Sequence, residues 1–162
     1  MHSPRYVALL QRLVAAAAEP AFRKRAKRPA KQVVPALVRT PWTKLREAVK
    51  ALPADPPDAD LHQIRILAKR ARYATEAAAP LVGNKASRLG AALADLQTVL
   101  GDHQDAMVAE AWLRDAVEGA DAEVSLAAGE LIAMQLVEAA RNRKQWPKAW
   151  TRASDKTLRS WL

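Results

Sequence analysis

From Asp58 to its last residue the chain contains only two prolines, whereas the first 57 residues contain eight. Proline lacks a backbone donor and clashes with the preceding helical turn, so long uninterrupted helices become possible only after residue 57. Alanine, the best helix former, occurs 36 times, while Val, Ile and Thr together occur 21 times. We therefore predict an all-α fold, an antiparallel helical bundle without strands.

Prolines, glycines and acidic capping residues divide the chain into helical segments. Pro41 predicts a helix start with Thr40 as its N-cap, and Asp58 or Asp60 is expected to cap the helix that follows. Turns are predicted at Gly83-Asn84 and at Gly119 with Asp121. The predicted helices cover about residues 6–18, 41–51, 58–79, 85–117, 122–143 and 148–162.

Composition excludes several classes of protein. With no cysteine, the chain has no disulfide framework, no thiolate metal site and no cysteine nucleophile. No apolar run approaches the roughly 18 residues of a membrane span, and the first residues do not resemble a signal peptide. We expect one domain over residues 1–162, located in the cytoplasm, with no membrane partner.

Charge is distributed unevenly along the chain. Residues 1–81 hold 16 Lys and Arg against 6 Asp and Glu, residues 82–140 hold 3 against 10, and residues 141–162 hold 7 against 1. An acidic middle between two basic ends predicts a positive surface where the ends meet in the folded chain, and therefore an anionic partner.

Four cationic or protonatable side chains share one face of the helix predicted over residues 58–79. With His62 at zero on a helical wheel, they fall between about 280° and 360°. The opposite face is apolar, so this helix is expected to bury one side and to expose the other. Glu76 is expected to lie too far along the helix to relieve the row. The polar row, called here the stripe, consists of His62, Arg65, Lys69 and Arg72.

Two interpretations of the stripe remain open at this point. A row of like charges repels itself, which favours a surface that binds an anion. Alternatively, the stripe is an ordinary surface that pairs with acidic neighbours from the middle of the chain, for which Asp95, Asp102 and Asp105 are the candidates.

Two motifs resemble a known family. The pattern His-x-x-Arg-x-x-x-Lys-x-x-Arg-Tyr occupies residues 62–73, and Leu-Gln-x-x-Leu-Gly-x-x-x-Asp occupies residues 96–105. Together they resemble the CHAD domain, the conserved histidine α-helical domain, over about residues 60–110. The resemblance implies two related four-helix bundles that bind inorganic polyphosphate along a basic groove.

The resemblance assigns polyphosphate contact to the four stripe residues, with Arg70 on the flank of the same helix. No second stripe occurs in residues 1–57, where His2 and Arg5 are not continued. The chain therefore resembles the C-terminal half of the family domain, for which self-association or a missing N-terminal half is the expected partner. A possible extension of the anion track comprises Arg23, Lys24, Lys27, Arg28, Arg141 and Lys144.

Two rival functions use the same residues. A nucleic-acid-binding module fits the basic charge equally well, but base stacking needs exposed aromatic residues, and we expect the tryptophans Trp42, Trp112, Trp146, Trp150 and Trp161 to pack inside. A phosphate-hydrolysing metal site would use His62 with Asp102, His103 and Asp105.

The enzymatic rival is the weaker one. His103 falls on the predicted packed face, and the sequence has no Gly-rich phosphate loop, zinc motif or serine elbow. Asp102 and Asp105 are instead expected to orient the stripe or to cap a helix break near Gly101. We therefore predict no catalytic residue, no metal and no cofactor.

Overall fold

The computed structural model describes residues 3–22 and 24–162, without the side chains of Lys24 and Arg25. His2 and Arg23 lie outside the described residues. The chain divides into two compact units, Met1–Val33 and Val34–Leu162.

Five α-helices and two short 3₁₀ helices make up the described chain, and no strand occurs in it, so the predicted all-α fold is confirmed. The last three α-helices are long and follow one another through short connections. The α-helices are α1 (Pro4–Ala18), α2 (Ala30–Lys50), α3 (Asp58–Val82), α4 (Asn84–Ala116) and α5 (Ala122–Ala153), and the 3₁₀ helices span Lys24–Lys27 and Lys156–Arg159.

The helix start predicted at Pro41 is wrong. Helix α2 continues through both Pro35 and Pro41, because one face of it buries Val38, Trp42 and Leu45. Burial of that face outweighs the hydrogen bonds that the two prolines cannot donate. Thr40 does not cap a helix, since its hydroxyl donates to the carbonyl of Ala36 at 3.3 Å inside α2.

The beginning of α3 also differs from the prediction. Its N-cap position is Pro57, without a side-chain capping bond, while Asp58 and Asp60 lie in the first helical turn. Acidic side chains are still favourable there beside the positive end of the helix dipole. At the other end, the turn predicted at Gly83 is present, with Gly83 at φ 78°.

Helix α5 is ten residues longer than predicted, because it runs through Pro147 to Ala153. Ala139, Asn142, Ala149 and Ala153 are buried on both sides of this proline, so a continuous packed face keeps the helix intact. The predicted break before α5 is confirmed, since Asp121 is its N-cap and accepts a hydrogen bond from the Val124 amide at 2.9 Å.

The core of the second unit lies between α2, α3, α4 and α5. It contains Ile64, Ala68 and Ala71 of α3 together with Leu89, Leu93, Leu96 and Leu100 of α4. Trp42 of α2 stacks on Trp150 of α5, with ring centroids 5.5 Å apart. Most of the tryptophans therefore pack as expected, but Trp112 is 66% exposed, and its predicted interior position is wrong.

His103 joins three elements of the second unit. The imidazole is buried, and its Nε2 lies 3.3 Å from Oδ1 of Asp58. The Arg143 guanidinium donates to the same Asp58 oxygen at 2.7 Å and to Oδ1 of Asp55 at 2.8 Å. This cluster fixes the beginning of α3 against α4 and α5, so the predicted packed position of His103 is confirmed.

We expect the second unit to lose stability when the pH falls below about 6.5. Burial lowers the pKa of His103, and Arg143 acts in the same direction while Asp58 opposes it. The unfolded chain keeps an ordinary histidine pKa of about 6.5 and so takes up the proton first. The contribution of neutral His103 is complete above that pH and is lost as the pH falls through it toward the lower pKa of the folded state.

Urea unfolding of the wild type and of His103→Gln, followed by circular dichroism at about pH 7.5 and about pH 5.5, measures this effect. The free energy of unfolding should fall less in the variant than in the wild type between the two pH values. An equal fall in both proteins would assign the pH dependence to other groups.

Candidate functional site

The stripe lies on the side of α3 that does not form the core. Leu61, Ile64 and Ala68 are buried on the core side, while His62, Arg65 and Arg72 are half-buried and Lys69 is exposed. One rigid helix of 25 residues therefore carries all four side chains, at the spacing that its turns impose.

Helix α4 passes close to α3 beside the stripe. A Cβ atom added to Gly101 would lie 3.5 Å from Nε of Arg65, and one added to Gly90 would lie 3.6 Å from Cγ of Glu76. Because eleven residues separate the contacts on each helix, the two helices run antiparallel in constant register. Gln97, four residues from Gly101, therefore comes level with Lys69.

Several buried polar atoms on the stripe and beside it lack a hydrogen-bond partner. In the described part of the chain these atoms include Nδ1 of His62, Nε of Arg65, Nε of Arg72 and Oε1 of Gln97. Buried polar atoms are usually paired, because leaving them unpaired costs on the order of 1–3 kcal/mol each. Their concentration along α3 and the facing residue of α4 marks a place suited to a polar ligand.

Tyr73 packs against the two cationic side chains at the C-terminal end of the stripe. The cationic groups of Lys69 and Arg72 lie 5.7 Å and 5.0 Å from the centre of its ring, within the range of a cation–π interaction. Glu76 is the exception to the expected row, since its Oε1 lies 3.3 Å from Nε of Arg72, close enough for an ion pair although the two groups lack hydrogen-bond geometry. The expectation that Glu76 would not reach the row is therefore wrong for Arg72.

Among the described residues, the three acidic residues of the middle segment that were candidates for pairing with the stripe form no ion pair with it. Asp95 pairs with Arg152 of α5 at 3.2 Å, and within residues 3–22 and 24–162 no ion pair joins Asp102 or Asp105 to a stripe residue. The helix break expected at Gly101 is absent, because α4 is continuous from Asn84 to Ala116. Asp102 and Asp105 therefore cap nothing there.

Gly101 has a different role from the one expected, since it leaves room for the Arg65 guanidinium. We predict that Gly101→Ala keeps this arrangement, because its Cβ would make ordinary contact at 3.5 Å, and that it stabilises the helix by about 0.5–1 kcal/mol. Gly101→Leu should instead displace the guanidinium and weaken anion binding.

Thermal unfolding and anion titration of the two variants separate these effects. A similar loss of binding in both would show that the position of the Arg65 guanidinium does not depend on the space above Gly101.

The other cations named from the sequence occupy separate places. Arg70 is exposed on α3, and Arg141 pairs with Glu138 on α5 at 3.5 Å, one helix away from the stripe. Lys144 is exposed on α5. Lys27 and Arg28 belong to the first unit, and the side chain of Lys24 is outside the description, as is Arg23.

Sequence reasoning gave no role to Gln97 and the wrong one to Gly101. Both belong to the α4 motif over residues 96–105, so the motif already marked these two positions in the sequence. Their roles depend on the close approach of α4 to α3, which the periodicity of a single helix does not predict. The rival metal site is not assembled, since His103 faces Asp58 and the described residues contain no cluster of three metal-ligating side chains.

Comparison with known families settles the relationship of the chain. The family model described as CHAD domain matches residues 1–114. The chain belongs to the CHAD family. The match covers α1 to α3 and almost all of α4, and so includes the stripe and the facing Gly101. None of the curated proteins compared with this CHAD chain matches it, and no described helix is both long and apolar enough to cross a bilayer.

Proposed function

We propose that this CHAD chain is a non-enzymatic module that binds inorganic polyphosphate through His62, Arg65, Lys69 and Arg72. Members of the family bind polyphosphate, and the observation that supports the same role here is the set of unpaired buried polar atoms on the stripe. Three of these atoms are nitrogens of stripe side chains. Phosphate oxygens would supply an acceptor to Nε of Arg65 and would compete with the Glu76 carboxylate for Nε of Arg72.

The dimensions and chemistry of the stripe fit a chain of phosphates. From His62 to Arg72 it extends about 15 Å along α3, which is enough for several consecutive phosphates. Arginine guanidinium groups suit phosphate oxygens because they donate two parallel hydrogen bonds from a planar fork. Gln97, level with Lys69, places a side-chain amide at the edge of the same track.

Nucleic acid is the alternative ligand, and the aromatic residues near the stripe argue against it. Tyr73 is the nearest of them, and its ring already lies against Lys69 and Arg72. A base would have to displace these cations before it could stack there. The proposed function involves no catalytic step, and the cytoplasmic location remains a prediction.

Titration with polyphosphates of several lengths, at about 50 mM and about 200 mM salt, tests the proposal. Four phosphate contacts should reduce affinity on the order of 50-fold between these conditions, because bound counterions are released on binding. Affinity should rise with chain length until the stripe is filled.

Competition with single-stranded and double-stranded DNA at matched salt provides the control. DNA that displaces polyphosphate at equal phosphate concentration would favour the nucleic-acid alternative, and affinity independent of salt would reject an electrostatic site.

A further inference from the structure

Residues 107–138 form a two-helix hairpin that extends beyond α3. Asp58, the first residue of α3, lies beside His103, so α3 covers α4 only up to about this level. On α5, Ala139 and Ala140 line the same cavity as Met107. Beyond that level the second unit contains only the end of α4 and the beginning of α5.

This hairpin exposes large apolar side chains. Trp112 of α4 and Met134 of α5 are 66% and 64% exposed, and each is five residues from the level at which Met107 and Ala139 line one cavity. Leu131 is 47% exposed about one turn from Met134. Leu131 and Met134 share one face of α5, and exposed apolar side chains grouped on one face are typical of a protein interface.

The charge of the hairpin restricts what can cover it. Residues 107–138 contain one Arg and seven Asp or Glu. Two such hairpins would repel each other, whereas a basic partner would be attracted. The occupant that fits best is therefore a basic amphipathic helix.

The chain itself supplies such a helix. Helix α1 has no buried residue, and Tyr6, Leu9 and Leu13 are 43%, 52% and 57% exposed on one face of it. Its charged residues are Arg5 and Arg12, with no acidic residue between Pro4 and Ala18. The pattern of α1 is thus apolar and basic where the hairpin is apolar and acidic.

We propose that α1 of one protomer packs on the 107–138 hairpin of a second copy, and that the partner's α1 does the same in return. A helix of 15 residues is about 22 Å long and about 10 Å wide, so one such contact is small. Two reciprocal contacts bring the buried area toward the roughly 1,200 Å² of a specific interface. Reciprocal exchange also closes the assembly as a twofold-symmetric dimer.

Sedimentation of the full chain without polyphosphate, over a range of concentrations, tests the dimer independently of the proposed ligand. The wild type should dimerise, and Leu9→Glu with Leu13→Glu should raise the dissociation constant more than tenfold, as should Met134→Glu alone. Leu37→Glu, at a 54% exposed position of α2, is the matched control and should dimerise as the wild type does. A wild type that stays monomeric overturns the proposal.

Cysteine cross-linking identifies which helix is bound and by which molecule, because the chain has no cysteine of its own. A mixture of Leu13→Cys chains with Met134→Cys chains should form a disulfide-linked heterodimer under mild oxidation, and Leu37→Cys chains should not replace the Leu13→Cys chains. Absence of the heterodimer overturns the proposal. So does a disulfide that forms only within a chain carrying both substitutions, since α1 would then cover its own hairpin.

Discussion

Replacing Arg65 and Arg72 together by Ala is expected to weaken polyphosphate binding well over tenfold. Each charged hydrogen bond contributes about 1.5–3 kcal/mol. In the free protein the buried Nε of Arg65 has no hydrogen-bond partner, and that of Arg72 is ion-paired with Glu76 without hydrogen-bond geometry. Isothermal titration with one polyphosphate length at low salt measures the loss. Arg65→Lys should lie between the wild type and the double variant, because lysine keeps the charge but not the planar fork.

The matched control removes two arginines from other helices. Arg39 of α2 and Arg88 of α4 are exposed, so Arg39→Ala with Arg88→Ala lowers the net charge equally without altering the stripe. Its affinity should remain within a few-fold of the wild type. If both double variants lose affinity to the same degree, net charge rather than the stripe governs binding. If a properly folded Arg65 and Arg72 variant binds as the wild type does, the site assignment is wrong.

The buried and exposed faces of α3 were predictable because they depend only on the geometry of that one helix. A wheel drawn from the sequence places Ile64, Ala68 and Ala71 on one side, and all three are buried. The opposite row follows from the same geometry. What lies beside that row depends on a second helix, and neither the space at Gly101 nor the level of Gln97 can be obtained from the periodicity of α3.

Helix boundaries were predicted less well wherever proline met a packed face. A rule based on the local sequence predicts a helix start at Pro41 and a break between helices at Pro147, yet α2 and α5 continue through them. This local rule includes only the cost of the lost hydrogen bond and of the steric clash at proline. The folded chain also gains free energy from burying the side chains on both sides of each proline. Where no such face exists, as in the loop around Pro53, the local rule was correct.

The second large effect is expected from Trp42, the residue that attaches α2 to the core across Pro41. Trp42 is 3% exposed, its ring stacks on Trp150, and the Arg159 guanidinium lies 5.7 Å from its centre. Trp42→Ala should therefore lower the free energy of unfolding by about 3–5 kcal/mol, as measured by urea denaturation.

Trp112→Ala is the matched control, since it makes the same substitution at an exposed position. At protein concentrations low enough to keep every variant monomeric, it should change the free energy of unfolding by less than about 0.5 kcal/mol. If the two substitutions cost the same, α2 is not held to the bundle by Trp42. The passage of α2 through Pro41 would then need an explanation other than burial of its Val38, Trp42 and Leu45 face.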